Sequence, residues 1–92
     1  MNKKWEVEFK PTAFKELKKL DRRIQNHIFS FLERLIENHT SPRAAGLALQ
    51  GKHKGLWRYR VGDYRVICEI QDHKLIILVL DIGHRKNVYA NY

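Results

Sequence analysis

The chain predicts an α+β domain with the order β-α-α-β-β-β, in which a helical pair packs on one face of a mostly antiparallel four-stranded sheet. Three observations predict it. Residues 5–9 alternate Trp5, Val7 and Phe9 with Glu6 and Glu8, the pattern of a half-buried strand. Two stretches follow in which apolar residues recur every third or fourth position, the helical period. From residue 55 onward the period drops to two, broken by turn dipeptides. Strands and helices segregated in this way bury their apolar faces against each other as two layers.

Each element has its own signals. Lys10 precedes Pro11, which biases it towards extended backbone and ends the first strand. Thr12 is then the expected cap of a short helix with Phe14, Leu17 and Leu20 on one stripe. Asp21 is the expected cap of a longer helix that buries Ile24, Ile28, Phe31, Leu32 and Leu35, with Phe29 and Ile36 at the margins. Arg22, Arg23, Glu33, Arg34 and Glu37 fall mostly off that stripe and read as a solvated face. His39 suits the negative end of the helix dipole, and Ser41-Pro42 stops the helix. Residues 40–54 read as a connecting loop in which Leu47 and Leu49 tuck under the sheet. Gly51 allows a turn there, before the basic stretch Lys52-His53-Lys54.

The segment from Gly55 to Arg65 is a hairpin closed by Gly62-Asp63, the glycine supplying a positive φ. Its second strand continues with Tyr64, Val66, Cys68 and Ile70 inward. After a tight turn at Asp72-His73, residues 74–82 (KLIILVLDI) are apolar on both faces, as suits a central strand covered on both sides. Gly83 ends that strand. No repeat, linker or second domain is visible, so residues 1–92 read as one domain.

Composition narrows the class. The 92 residues carry a formal net charge of +8, which implies a polyanionic partner: nucleic acid, an acidic membrane surface or an acidic protein. Ten basic against six acidic residues lie before residue 51, and eight against four after it, so any asymmetry must be between faces of the fold. The N-terminal segment lacks the apolar core of a secretory signal, and the longest apolar run, Leu75 to Leu80, is far too short to span a bilayer. Cys68 is the only cysteine; it excludes an internal disulfide, suits a reducing cytoplasm and reads as a small core hydrophobe. His27, His39, His53 and His73 lack zinc-ligand spacing, so neither a metal nor a cofactor is expected.

The hairpin carries the most informative charges. A two-residue loop pairs Val61 with Tyr64 and so sets Arg60 opposite Arg65. Trp57, Tyr59 and Val61 share one face, Arg58 and Arg60 the other. Like charges facing across an antiparallel pair destabilise a sheet, and a core has no use for them. Arg58, Arg60 and Arg65, converging on the face left open by the helices, therefore predict an anion site. Glu69 points to the same face, as a base or as an ion-pair partner that damps the repulsion.

Leu49-x-Gly51, Trp57-Arg58-Tyr59-Arg60, Gly62-Asp63-Tyr64-Arg65 and the terminal Gly83-His84-Arg85 with Val88-Tyr89, in this element order, resemble the RelE branch of the RelE/ParE toxin superfamily. The similarity runs over essentially the whole chain. It implies a microbial-RNase-like fold and the toxin of a type II toxin–antitoxin pair, a ribosome-dependent endoribonuclease that cuts messenger RNA in the decoding site. A cognate RelB-like antitoxin with an acidic segment is the implied partner, either covering the open face or displacing the tail that carries Tyr89. Operator DNA is implied only as a target of the toxin–antitoxin complex. The family's functional positions fall on Arg58, Arg60, Arg65, Arg85 and Tyr89. In the best-studied branch the hairpin pair is lysine where this chain has arginine, and the tyrosine follows its arginine by six residues rather than four.

On an RNA substrate these residues suit metal-free cleavage, in which the 2′-hydroxyl attacks its own 3′-phosphate and leaves a 2′,3′-cyclic phosphate and a 5′-hydroxyl. Arg65 and Arg85, with Arg60 beside them, are candidates to stabilise the charge on the phosphorane. His84 is the nearby residue whose type allows acid or base work near neutrality; its other reading is a contact that orients the strand end or meets the partner. Tyr89 is a candidate for stacking on a base or for core packing. Lys52, Lys54, Arg58 and Lys86 are candidate RNA contacts. Two other functions share the sequence features: a ParE-like inhibitor of DNA gyrase without nuclease activity, and a non-catalytic RNA-binding module.

Overall fold

Pro11 shapes the first turn of the chain. In the computed structural model, which describes residues 4–37 and 41–85, Lys10 is extended at φ −60° and ψ 141°, and Pro11 opens the first helix. Strand β1 is Glu6–Phe9, and helix α1 is Pro11–Lys18. The N-cap is Lys10, with no side-chain capping bond, rather than Thr12. Proline explains the difference: it has no N–H to satisfy and its φ is preset for a first helical residue. Helix α2, Arg22–Glu37, buries Ile28, Leu32 and Leu35, with Ile24 and Phe31 half-buried beside them. In α1, Ala13 and Leu17 are buried, but Phe14 is 43% exposed, with the Lys18 ammonium 5.9 Å above its ring.

Among the described residues the sheet has five strands, not the four expected: Glu6–Phe9 (β1), Ile76–His84 (β5), Tyr64–Gln71 (β4), Leu56–Val61 (β3) and Leu47–Ala48 (β2), in that order across it. The additional strand, β2, is Leu47–Ala48, between 3₁₀ turns at Pro42–Ala45 and Gly51–His53. Two residues are too few to show a period in sequence. Leu47 does not tuck under the sheet; it is 58% exposed on the edge strand, and Leu49 is half-buried. Strands β3 (Leu56–Val61), β4 (Tyr64–Gln71) and β5 (Ile76–His84) are antiparallel neighbours, and β1 joins β5 in parallel. The turn before β5 is longer than a dipeptide: it spans residues 72–75, and Leu75 takes a left-handed φ of 55°.

Both helices lie on the sheet face formed by Tyr59, Val61, Val66, Cys68, Ile77, Val79 and Ile82, and together these side chains make the core. Tyr59 is its keystone. The ring is fully buried, packs at 5.7 Å from Phe31 of α2, and donates its hydroxyl to the Pro42 carbonyl at 2.8 Å. Burial pushes the Tyr59 hydroxyl well above its ordinary pKa, so it remains a donor throughout the physiological range. Gly46 lies flat against the same ring, where an added Cβ would sit 2.9 Å from Tyr59 Cε1 and 3.1 Å from the Arg58 carbonyl oxygen. Arg43, from the same loop, makes a two-pronged ion pair with Asp72 at 2.7 and 2.8 Å and stacks 5.6 Å over Trp57. Cys68 is fully buried and its thiol pKa is raised by that burial, in line with a packing role.

These contacts set a stability test. Tyr59→Phe leaves the Pro42 carbonyl without its donor and should cost about 1–2 kcal/mol. Gly46→Ala forces a methyl against backbone and ring and should cost about 1–3 kcal/mol. Urea unfolding of both variants reads these losses directly.

Candidate nucleic-acid interface

The Gly62-Asp63 turn, with Gly62 at φ 59°, sets Val61 opposite Tyr64 and Arg60 opposite Arg65, the register expected from the loop length. Arg65 in turn faces Gly83 of β5. One cross-strand row therefore reads Arg60, Arg65, Gly83, with neighbouring strands about 4.8 Å apart. Gly83 adds no side chain to that row. Arg85 follows two positions later, and its N–H donates to the Asp63 carbonyl at 2.9 Å, which pins the end of β5 to the hairpin tip. Arg58 begins the adjacent row, opposite Ile67, with Asp81 beyond it.

The arginines differ in their surroundings. Arg60 and Arg85 are exposed and Arg58 is half-buried. Arg65 is not open to solvent as expected: it is 5% exposed, and its Nη1 donates to the carbonyls of Gly62 at 3.3 Å and Tyr64 at 3.1 Å. Its strand is central, so neighbours on both sides close over it; Ile67, on the same face, is fully buried. The face opposite the helices is thus a partly covered surface with exposed guanidinium groups at its hairpin end.

His84 lies elsewhere. It pairs with Tyr64, and the two rings meet edge to face at 5.6 Å, on the side of the sheet that carries Val61 and the helices. Strand alternation therefore separates it from the row of Arg60 and Arg65. Glu69 is also apart from that row: it faces Leu56 and Leu78, and its carboxylate accepts from Gln71 Nε2 at 2.6 Å. Lys52 and Lys54 are exposed around the second 3₁₀ turn. Lys86, Tyr89 and His39 lie outside the described residues.

One group near the site was not singled out from sequence. Asp81 lies where β5 bulges: Ile67 faces Asp81 and Cys68 faces Val79, so Leu80 is an extra residue. The half-buried Asp81 carboxyl is raised above the ordinary aspartate range, mainly by burial, and Glu16 pushes it in the same direction. A bulge has no signature in the pattern LVLDI, which reads as plain alternation. Among the described residues no group of three or more His, Cys, Asp or Glu side chains could hold a metal, and no helix is long and apolar enough to cross a membrane.

Known proteins share this fold. The toxin–antitoxin complex RelBE2 of Mycobacterium tuberculosis matches with a TM-score of 0.79 and 29% identity, over 89% of this chain and 99% of that one. The free Escherichia coli toxin RelE, solved as a mutant, matches with a TM-score of 0.73 and 23% identity, over 96% of this chain and 93% of that one. A putative RelE-like toxin protein of Escherichia coli is 29% identical over 83 residues, which is 90% of this chain and 85% of that protein. Fold and relatives thus define a small toxin of the RelE/ParE superfamily. The chain belongs to the family described as the ParE toxin of type II toxin–antitoxin systems, parDE, whose model matches residues 7–89.

Asp81 yields a pH test. A carboxyl raised in the folded state makes no difference to stability below its unfolded pKa, and it weakens the fold as pH rises and the buried group ionises. Asp81→Asn should therefore raise the melting temperature at pH 7, and the gain should vanish towards pH 3. Calorimetry across that range checks the sign.

Proposed function

We propose that this toxin is a metal-independent, ribosome-dependent messenger RNA endoribonuclease. The observation that carries this reading is the row of Arg60 and Arg65 ending at Gly83, with Arg85 tied to the same hairpin tip. Guanidinium groups gathered at one hairpin tip suit a phosphodiester. In the proposed reaction the 2′-oxygen bonds to phosphorus, the bond to the 5′-oxygen breaks, and the proton lost by one oxygen is made good on the other by way of solvent or a side chain. Arg60 and Arg85 donate to the phosphorane oxygens, and Arg65, locked by two carbonyls, supplies fixed positive field behind them. Lys52, Lys54, Arg58 and Lys86 hold flanking phosphates, and Tyr89 stacks on a base. An acidic, RelB-like antitoxin segment covers the arginine face.

Arginine keeps its proton above pH 12 and is a poor general base, so this site stabilises charge better than it moves protons. The ribosome is then needed to align the attacking hydroxyl, a contribution worth several kcal/mol when supplied in advance. The match to the ParE toxin family favours one second reading, a gyrase inhibitor that does not cut RNA.

Mapping RNA 5′ ends in expressing cells separates the two. Codon-phased cuts that fall about 10²- to 10³-fold in Arg85→Ala are the expected result. DNA breaks with intact messages would establish the gyrase reading. Purified toxin should cut ribosome-bound message far faster than naked RNA, and equal rates would refute ribosome dependence.

A further inference from the structure

Among the described residues, Phe14 and Leu47 are the large apolar side chains that the fold leaves exposed, at 43% and 58%. Phe14 is accounted for. Its ring meets Phe9 edge to face at 5.7 Å, and the Lys18 ammonium lies 5.9 Å above it. Leu47 sits on the two-residue edge strand β2, in register with Arg58 of β3. Residues directly opposite on neighbouring strands share a face, so Leu47 projects on the arginine side of the sheet. Gly46, one position earlier, lies against the Tyr59 ring on the helix side, as strand alternation requires. From Arg60, Leu47 is one strand across and two residues along, about 8 Å between Cα atoms by strand geometry.

The fold has no use for a leucine here. Edge strands are ordinarily guarded by charged residues, and an exposed apolar side chain on one invites association. Its surroundings are cationic. Arg58 stands beside it, and Arg60 lies towards the hairpin tip. Lys52 and Lys54 are exposed around the 3₁₀ turn that follows β2, at the opposite end from that tip. A protein anchor calls for a cluster of apolar groups at the centre of an interface. A lone apolar side chain between positive groups suits a single nucleotide strand, whose phosphates take the charge and whose bases take the apolar surface.

We propose that Leu47 is a nucleobase contact, the apolar floor of a subsite for the nucleotide next to the phosphate held at the arginine tip. This rests on the RNA-directed reading above for the class of ligand. Arg58 takes that nucleotide's own phosphate, and the RNA continues along β2 towards Lys52 and Lys54. A leucine side chain has no donor or acceptor, so the contact senses the presence and area of a base and not its hydrogen-bonding edge. Purines, with the larger face, are held more tightly than pyrimidines.

The test uses the full chain and a short 2′-O-methyl oligoadenylate, which lacks the free hydroxyl that the proposed cleavage needs. Affinity is read by fluorescence anisotropy while one base at a time is removed to leave an abasic sugar. In the parent, one position should lose about fivefold in affinity when its base is absent. In Leu47→Ser that position should become insensitive, and in Leu47→Phe, which keeps the strand apolar, its loss should grow to about tenfold or more. Salt dependence should be the same in all three, because no phosphate contact changes, whereas Arg58→Gln should make the slope of log affinity against log salt shallower by about 0.7. A sensitive position that persists in Leu47→Ser overturns the proposal. So does an equal fall in affinity for intact and abasic oligomers, the mark of a damaged strand. Loss of antitoxin affinity with the abasic pattern unchanged would make Leu47 a protein contact instead. Binding is read without cleavage, so a toxin that cannot cut message but keeps the Leu47-dependent pattern would sink the nuclease reading and leave this one standing.

Discussion

Two guanidinium groups held opposite each other on neighbouring strands repel, and everything else in this sheet has to hold Arg60 and Arg65 in that position. The repulsion costs up to about 1 kcal/mol across an antiparallel pair. Against it stand Tyr59, Val61 and Val66, the flanking positions on the other face, all buried. Burial of one such side chain contributes about 1.5–3 kcal/mol, so packing on the helix side decides the register and the arginines follow. A slip of one residue would turn Tyr59 outward and bring Arg58 and Arg60 into the core, which excludes it. The charges are therefore opposed because the core leaves them no alternative.

The same logic explains how the hairpin is held at its base. Tyr59 reaches across to the Pro42 carbonyl, Gly46 fits beneath its ring, and Arg43 grips Asp72 at the far turn while lying on Trp57. A loop without extended regular structure thus ties β3 to α2 and to the β4–β5 turn. The edge that β3 would otherwise present is covered by the two residues of β2 and by Leu49, whose N–H donates to the Leu56 carbonyl at 3.0 Å, with Leu47 left exposed. Order at the arginine tip comes from the opposite end, where Arg85 N–H closes onto Asp63.

The parts of this fold that repeat a period were readable from the chain alone: the two helices, the three long strands, the Gly62 turn and the Arg60–Arg65 register. What was hidden depends on contacts between distant segments. Strand β2 is too short to have a period, and Leu47 looks like a core residue until the edge of the sheet is located. Arg65 reads as exposed from alternation, yet a central strand buries both its faces at that point. The bulge at Leu80 re-aims Asp81 without changing composition. His84 illustrates the limit best. Its neighbour in sequence, Arg85, sits at the arginine tip, whereas its ring turns to Tyr64 on the other side, and only strand parity separates the two.

That separation bears on what the surface can do. Among the described residues, neither His84 nor Glu69 stands beside Arg60 and Arg65: His84 is across the sheet and Glu69 is engaged with Gln71. Asp81, though raised by burial, has Glu16 and Lys10 as its charged neighbours. A face of this kind is well made for fixing the charge and position of a phosphate and poorly made for shuttling protons. On the proposed reading, catalysis then divides between two bodies, the toxin contributing guanidinium groups and the ribosome the alignment of the 2′-hydroxyl. On the same reading, substituting a few groups at the tip would alter the chemistry while the core that sets Arg60 against Arg65 stays as it is.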